Sequence, residues 1–160
     1  MKKINKPLLD SVSEQAKKTE RLRMNYNFHE ELSDKLQRLL NAVEPGTYVQ
    51  PHKHENPDKR EIFTVLKGKI LVITFNDSGK ITEHIVLDPL AGNYGVEIAA
   101  GVWHTLLSLE SGTVVFEVKD GPYSPIDDKN FAQWAPAEGD NGCQEYIIKL
   151  FKETGVKQPG

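Results

Sequence analysis

Two histidines, His52 and His54, stand two residues apart in the stretch 46–68, GTYVQPHKHENPDKREIFTVLKG. On an extended backbone, side chains two positions apart point to the same face, so both imidazoles can reach one point without a special turn. Glu61 follows a polar loop whose length lets the next strand fold back beside the first. A third histidine, His104, lies further along the chain. These four residues are the candidate ligands of a metal ion.

The candidate ligands combine three imidazole nitrogens with one carboxylate, a mixed donor set that suits Zn, Fe, Mn or Ni and selects none of them. On an octahedral metal, four protein ligands leave two positions for water, O₂ or a chelating small molecule. On a tetrahedral zinc they leave none, and the site is then structural. The sequence therefore predicts one divalent transition metal and leaves its role open.

The composition excludes several classes of partner. The chain has 160 residues, with 20 Lys and Arg against 23 Asp and Glu, and its net charge is -3. This balance gives no bulk attraction to nucleic acid or to an anionic membrane. No run approaches the roughly 18 apolar residues of a membrane helix, and residues 1–12 lack the apolar core of a signal peptide. The single cysteine, Cys143, suits a reducing compartment, so we expect one cytoplasmic domain.

Beyond Gly46, short apolar runs alternate with polar and glycine-containing turns. Strands separated by about 8 to 12 residues are typical of a sandwich or barrel rather than of alternating β and α units. We predict strands at 47–52, 61–66, 68–75, 80–88, on either side of Gly101 within 96–110, and at 112–120.

The N-terminal third carries a different pattern. Residues 7–19 have helical spacing with a proline in the first turn, and 21–28 alternate with a period of two, which predicts a helix followed by a strand or extended arm. The stretch 30–43 fits both a helical stripe and an alternating strand. We divide it into a helical turn near 29–34 and a strand at 36–43.

The C-terminal part is predicted to wrap around the barrel and end in a helix. Residues 121–142 are rich in Pro, Gly and Asp yet contain three aromatic residues, so we expect an ordered segment that pins these rings on the barrel. The run from Cys143 has one apolar helical face and a stop signal at Gly155. The three aromatic residues are Tyr123, Phe131 and Trp134.

The spacing of the first motif resembles that of the cupin superfamily. The matching residues are Gly46, His52, His54, Glu61 and Gly68. The gap between the second histidine and the glutamate is wider here than in the usual pattern, because the loop ENPDKR separates them. The second cupin motif is matched by AAGVWH, in which Gly101 and His104 are in place, whereas Ala99 replaces a proline and Ser108 replaces an asparagine.

A narrower resemblance covers most of residues 21–139. The blocks RLRMNYNFHEEL, LNAVEPGTYVQPHKH, GVWHTLLSLE, FEVKDGPYSP and DKNFAQWAPAEG are similar to those of WbuC-type cupin-fold metalloproteins, which occur among bacterial polysaccharide (O-antigen) biosynthesis genes. This resemblance implies an all-β cupin jelly-roll barrel with a bound divalent metal, and it implies no particular reaction. We expect a helix and arm at 1–35, the barrel at 36–120, and the wrap and helix at 121–160.

Several polar residues are candidates for binding a small molecule. Arginines two apart on a strand can face one anionic group, since the guanidinium fork matches phosphate or carboxylate, but such a pair is also common on a solvated surface. Two charged residues near the end of the last strand point either into a polar cavity or to solvent. The candidates are Arg21, Arg23, Asn25, Glu117, Lys119 and Tyr123.

The two remaining histidines are weaker candidates. His84 lies in an alternating strand and is expected to be exposed. His29 either caps a helical turn or lies with the preceding block over the mouth of the barrel.

The predicted function is that of a metal-binding cupin that acts on or binds an oxygen-rich small molecule, such as a sugar or sugar phosphate. Isomerase, epimerase and oxygenase chemistry all fit such a site. The alternative is a non-catalytic cupin in which the metal stabilises the barrel or presents a carbohydrate. A weaker possibility is an interaction protein that uses its C-terminal segment. Cupin barrels often pair through edge strands, so we expect a homodimer.

Overall fold

The computed structural model describes residues 1–124 and 129–159, so the part of the predicted wrap at 125–128 lies outside the described residues. The elements in chain order are α1 (Lys6–Ala16), β1 (Arg23–Asn27), β2 (Leu36–Val43), β3 (His52–Lys53), β4 (Glu61–Lys67), β5 (Ile70–Phe75), β6 (Ile81–Leu87), a 3-10 helix (Pro89–Ala91), β7 (Gly95–Ile98), β8 (Trp103–Ser108), β9 (Thr113–Asp120), β10 (Asn130–Phe131) and α2 (Cys143–Thr154). Neither α-helix of this described part has the length and apolar content needed to cross a membrane.

The strands form two antiparallel five-stranded sheets that pack face to face. Sheet A has the order β1-β2-β9-β4-β7, and sheet B has the order β10-β3-β8-β5-β6. Apart from the consecutive pairs β1–β2 and β5–β6, neighbours in each sheet come from distant parts of the chain, as in a jelly roll. The predicted all-β jelly roll with a short helix near each end is confirmed.

Three apolar clusters build four layers, in the order α1, sheet A, sheet B and α2. Strand β5 is apolar on both faces because one face lies between the sheets and the other lies under α2. This double burial explains why its sequence, ILVITF, shows little polar alternation. The core between the sheets consists of Val43, Phe63, Val65, Ile70, Val72, Leu87, Ile98, Leu106 and Val115.

Helix α1 covers the outer face of sheet A. Its first turn is capped by Asn5, whose side chain accepts a hydrogen bond from Leu8 N (3.2 Å), and Pro7 occupies a position where its missing N–H costs nothing. The helix then packs its buried residues, Val12 and Ala16, onto β2 and β9. The prediction of a helix at 7–19 is confirmed, although the helix ends three residues earlier.

Two local predictions are wrong. The stretch 47–52 forms a strand only from its last residue, because side chains satisfy its backbone carbonyls in place of a strand ladder. Arg23 Nη1 donates to the carbonyl oxygen of Tyr48 (2.7 Å), and Thr105 Oγ1 donates to that of Val49 (2.6 Å).

The expected helical turn near 29–34 is the second error. These residues form bends and one turn, closed by a hydrogen bond from Asp34 N to Glu31 O (3.2 Å). The strand that follows, β2, has the predicted bounds of 36–43.

Helix α2 offers a test of the outer layer of the sandwich. Leu150 is 1% exposed and packs in the cluster on sheet B, whereas Ile148 on the same helix is 53% exposed. We expect Leu150→Ala to lower the free energy of unfolding by about 2–5 kcal/mol, because it leaves a cavity in a packed layer. Ile148→Ala is the matched control and should cost less than about 0.5 kcal/mol. Urea denaturation followed by circular dichroism measures both, and equal losses would contradict the docking of α2.

Candidate metal centre

The four predicted metal ligands meet at the seam between the two sheets. His52 on β3 and His104 on β8 are directly opposite each other in sheet B, and their ring centroids are 4.4 Å apart. His54 follows β3, and Glu61 is the first residue of β4 in sheet A. One ligand atom from each of the four residues lies within 4.8 Å of the others, and all four residues are buried.

Backbone carbonyls set the orientation of two imidazoles. His52 Nδ1 lies 3.0 Å from the carbonyl oxygen of Gln50, and His104 Nδ1 lies 2.8 Å from that of Val102. A carbonyl oxygen can only accept, so each Nδ1 carries the hydrogen and donates it. The Nε2 atom of each ring is then left with a lone pair for a metal, which is the usual arrangement around histidine ligands.

The centre of the cluster holds buried nitrogen and oxygen atoms that can bind a metal and that face one another. Glu61 Oε1 and His104 Nε2 are in close contact, yet neither has a hydrogen-bond partner among the described residues. His54 Nε2 lies 3.5 Å from the same carboxylate oxygen. Lone pairs brought together without water are costly unless a cation lies between them. The donor set and its burial therefore fit a divalent metal.

The electrostatics of the cluster favour the metal-binding protonation states. Burial alone raises the pKa of Glu61, but positive charge at the neighbouring His104 and His54 outweighs it and holds this pKa well below its usual value, so the site favours a cation beside the carboxylate. Burial lowers the pKa of His52 well below its usual value, and the positive charge of Lys129 acts in the same direction. At neutral pH the carboxylate is thus ionised and the His52 imidazole is neutral, as metal ligation requires.

A cavity of about 600 Å³ opens above the cluster, and His52 and Glu61 form part of its wall. Side chains alternate between the two faces of β1, β2 and β9, and polar residues on one face of each strand point into this cavity. Lys119 is the cross-strand neighbour of Glu61 on one side and of Gln37 on the other, so these three side chains form one row. All six residues predicted to bind a small molecule line this cavity: Arg21, Arg23, Asn25, Glu117, Lys119 and Tyr123.

Glu117 is a buried carboxyl group that faces the cavity. Asn41 Nδ2 donates a hydrogen bond to Glu117 Oε2. Burial raises the pKa of Glu117, and the negative charge of Glu61 raises it further. Lys119 lies over the ring of Tyr123, 5.5 Å from its centroid. The cavity thus contains an amide, a carboxyl and an ammonium group in addition to the metal cluster.

Residues 4–87 match the model of a protein family described as a domain of unknown function, DUF6016. The match covers more than half of the chain. The chain belongs to the DUF6016 family. No curated protein sequence matches it.

Solved structures similar to this DUF6016 chain are cupin-fold proteins. The L-ribose isomerase of Cellulomonas parahominis has a TM-score of 0.55 at 17% identity, with 76% of this chain and 72% of the isomerase covered. A cupin superfamily protein from Desulfitobacterium hafniense has a TM-score of 0.53 at 13% identity, with 75% and 93% covered. CapF, solved with the inhibitor 3-isopropenyl-tropolone, reaches 0.56 at 21% identity over 68% of this chain, which spans only 31% of CapF. At these identities the likeness establishes the cupin fold alone.

The structure corrects the prediction for the aromatic residues of the C-terminal segment. Trp134 packs as expected, with its ring 5.1 Å from that of Phe75 and 6.0 Å from that of Trp103. Tyr123 and Phe131 are instead exposed and line the cavity. Phe131 is placed there by the pairing of β10 with β3 at the edge of sheet B, and Tyr123 by a hydrogen bond from its backbone N to Leu32 O.

The remaining histidines take separate positions. His84 is exposed on β6, as predicted. His29 lines the cavity and accepts a hydrogen bond at Nδ1 from Arg38 N (3.1 Å), so of its two predicted roles it takes the place at the mouth.

Glu138 is a cavity residue that the sequence did not reveal. Its carboxylate accepts hydrogen bonds from both Arg21 and Arg23. It lies in a Pro- and Gly-containing segment more than a hundred residues from these arginines, and its neighbours in sequence carry no ligand motif. Only the packing of that segment on the barrel brings the three together.

Tyr48 fixes this segment and supplies a pH-dependent test. Its phenol donates to the carbonyl oxygen of Pro136 (2.7 Å), and Tyr48→Phe should lower the free energy of unfolding by about 0.5–1.5 kcal/mol. Burial raises the pKa of Tyr48 above its usual value, so the folded protein keeps this proton where the unfolded chain loses it. Stability should therefore fall as the pH rises above about 10, and fall less in the variant.

Chemical denaturation at about pH 8 and pH 10.5 measures both effects. Tyr94→Phe, at an exposed position, is the control and should behave as the wild type. The assignment of this pH dependence to Tyr48 fails if Tyr48→Phe loses as much stability at high pH as the wild type does.

Proposed function

We propose that this chain is a cupin that binds a divalent metal through His52, His54, Glu61 and His104 and acts on an oxygen-rich small molecule. The observation that carries the proposal is the buried cluster of three histidines and one glutamate at the wall of a polar cavity. Bound there, the metal supplies a Lewis acid that polarises a ligand oxygen or lowers the pKa of bound water.

The residues of the chain then have distinct roles. The carbonyl groups of Gln50 and Val102 hold the imidazoles in their ligating orientation. Glu117 and Asn41 present a carboxyl and an amide group to ligand hydroxyls. The raised pKa of Glu117 brings it closer to the range in which a carboxyl group exchanges protons with a ligand at neutral pH.

A sugar or sugar phosphate is the substrate class that this lining fits best. Amide groups both donate and accept hydrogen bonds, which matches the hydroxyl groups of a sugar. The L-ribose isomerase among the similar structures supports a sugar substrate by analogy of fold only. The resemblance to WbuC-type proteins supports a place among polysaccharide biosynthesis proteins, and we keep both as parts of the proposal.

We further propose a cytoplasmic homodimer. Strand β1 lies at the edge of sheet A, and its side chains Met24 and Tyr26 are exposed, so this edge can pair with a second copy. Within each copy, residues 1–35 and 121–160 would act as extensions packed on a barrel formed by 36–120.

A second candidate function is a non-catalytic cupin with a structural metal. It is favoured by the burial of all four ligands, since four protein donors complete a tetrahedral zinc site. X-ray absorption at the metal edge separates the two functions. A coordination number of five or six supports an open, reactive site, and a closed set of four protein ligands supports the structural one.

Metal binding itself can be tested by single substitutions. We expect the purified wild type to bind about one divalent metal ion per chain, and His104→Ala to weaken binding by more than about 100-fold, because it removes a ligand. His84→Ala changes an exposed histidine and should leave binding unchanged. Metal analysis after dialysis against a weak chelator measures the stoichiometry. Equal metal content in His104→Ala and the wild type would rule out the proposed site.

Ligand binding can be tested with a panel of sugars and sugar phosphates. We expect at least one member to bind or to be converted by the metal-loaded protein, and the effect to disappear after metal removal. Glu117→Gln keeps the shape of the side chain and should reduce turnover by about 10²–10⁴-fold if this group transfers a proton. NMR of the sugar follows both binding and conversion. Binding without conversion in the wild type would favour the non-catalytic function.

A further inference from the structure

Arg21 and Arg23 together enclose one carboxylate at the mouth of the cavity, that of Glu138. Oε1 of Glu138 lies 2.6 Å from Arg21 Nε and 2.6 Å from Arg23 Nη2. Oε2 lies 3.1 Å from Arg21 Nη2 and 2.7 Å from Arg23 Nη2. Each oxygen is therefore held by both guanidinium groups. Arg21 binds with two nitrogens, the fork by which arginine binds a carboxylate or a phosphate, and Arg23 donates to both oxygens from Nη2.

The arginine fork is held in place by contacts that do not involve Glu138. The side chain of Arg23 is only 15% exposed, and its Nη1 donates to the carbonyl oxygen of Tyr48 (2.7 Å). Leu22, between the arginines, has a φ of 55°, a left-handed conformation that non-glycine residues rarely adopt. Hydrogen bonds from Leu22 N to Thr19 O and from Glu44 N to Leu22 O fix it. The Arg23 half of the anion site and the backbone between the two arginines are thus fixed independently of Glu138.

Charge at the mouth favours an anionic ligand. Two guanidinium groups face one carboxylate, so the fork keeps one positive charge in excess. Among the described residues that line the cavity, four cationic side chains stand against three carboxyl groups, although the chain as a whole has a net charge of -3. The cationic residues are Arg21, Arg23, Lys119 and Lys129, and the carboxyl groups are those of Glu61, Glu117 and Glu138.

The carboxylate of Glu138 can turn out to solvent without any movement of its segment, because the Glu138 side chain is itself 36% exposed. Glu138 lies between β10 and α2, outside both elements, and is followed by Gly139 at a φ of 95° with open space where a Cβ would stand. The side chain of Arg21 is 62% exposed, so solvent reaches one side of the ion pair. Such partly exposed pairs contribute little net stability. A ligand oxyanion can therefore replace this carboxylate at low cost.

We propose that the Arg21–Arg23 fork is the subsite for an oxyanion group of the ligand, a carboxylate or a phosphate, and that Glu138 occupies it until the ligand displaces it. The inference rests on the proposed function in one respect, namely that the fork and the metal cluster line the same cavity. The competing explanation is that Glu138 only pins the C-terminal segment to β1. In that case its removal loosens the segment and creates no affinity for anions.

The test is Glu138→Gln, which keeps the shape of the side chain and removes its charge. Isothermal titration of metal-free, full-length protein with inorganic phosphate and, separately, with acetate measures the affinity of the fork alone. We expect at least one anion to bind about tenfold more tightly to Glu138→Gln than to the wild type. Adding Arg21→Gln to this variant should abolish the gain. Glu153→Gln, the same charge change on α2, is the control and should bind as the wild type does.

The two anions distinguish the sources of the oxyanion. A gain for phosphate alone assigns the subsite to a phosphorylated ligand, and a gain for acetate alone assigns it to a carboxylate. Equal affinities of the wild type and Glu138→Gln for both anions overturn the inference. Should Glu138→Gln fail to fold, Glu138→Asp replaces it: its shorter side chain should raise anion affinity to a smaller degree, and no rise overturns the inference.

Metal titration of the same variants separates this inference from the proposed function. If the protein binds metal but Glu138→Gln shows no gain in anion affinity, only the proposed anion subsite is ruled out. If Glu138→Gln shows the gain but the protein binds no metal, the anion subsite is supported and the proposed metal chemistry is ruled out.

Discussion

The burial of four candidate metal ligands at the seam between two sheets is the constraint on which the rest of this structure depends. Glu61 comes from sheet A, whereas His52 and His104 come from neighbouring strands of sheet B. Taking these polar groups out of water is costly unless they find partners. The sheets must therefore hold their separation and register closely, because a small shift would part the carboxylate from the imidazoles. The atoms that suit a metal are thus also the atoms whose positions the fold must hold most closely.

The helices at the two ends of the chain supply much of this rigidity. Helix α1 packs Val12 and Ala16 on the outside of sheet A, and α2 packs Leu150 on the outside of sheet B. With its outer face covered as well as its inner one, strand β5 has almost no exposed surface. A close-packed frame of this kind resists deformation and keeps buried ligands in place. Residues far from the metal centre therefore support its geometry.

Local patterns predicted the features that depend on local spacing. The two-residue period of β2 gave its bounds, and the positions of His52 and His54 on an extended backbone gave half of the metal centre. Two features that depend on distant partners were missed. The stretch before His52 does not form a strand, because the side chains of Arg23 and Thr105 donate to its carbonyl groups. Glu138 escaped detection for the same reason, since only tertiary packing brings it to the cavity.

The inner face of sheet A serves as core at one end and as binding surface at the other. Along β9, Val115 packs between the sheets, whereas Glu117 and Lys119, the next inward positions, line the cavity. Strand β2 follows the same rule, with Val43 in the core and Asn41 at the cavity. The change from apolar to polar residues occurs within single strands, so the cavity is as rigid as the core that continues from it. Ligand selectivity then depends on which side chains occupy these fixed positions of the cavity wall. The charged side chains at the mouth are the part of the cavity that can rearrange most readily.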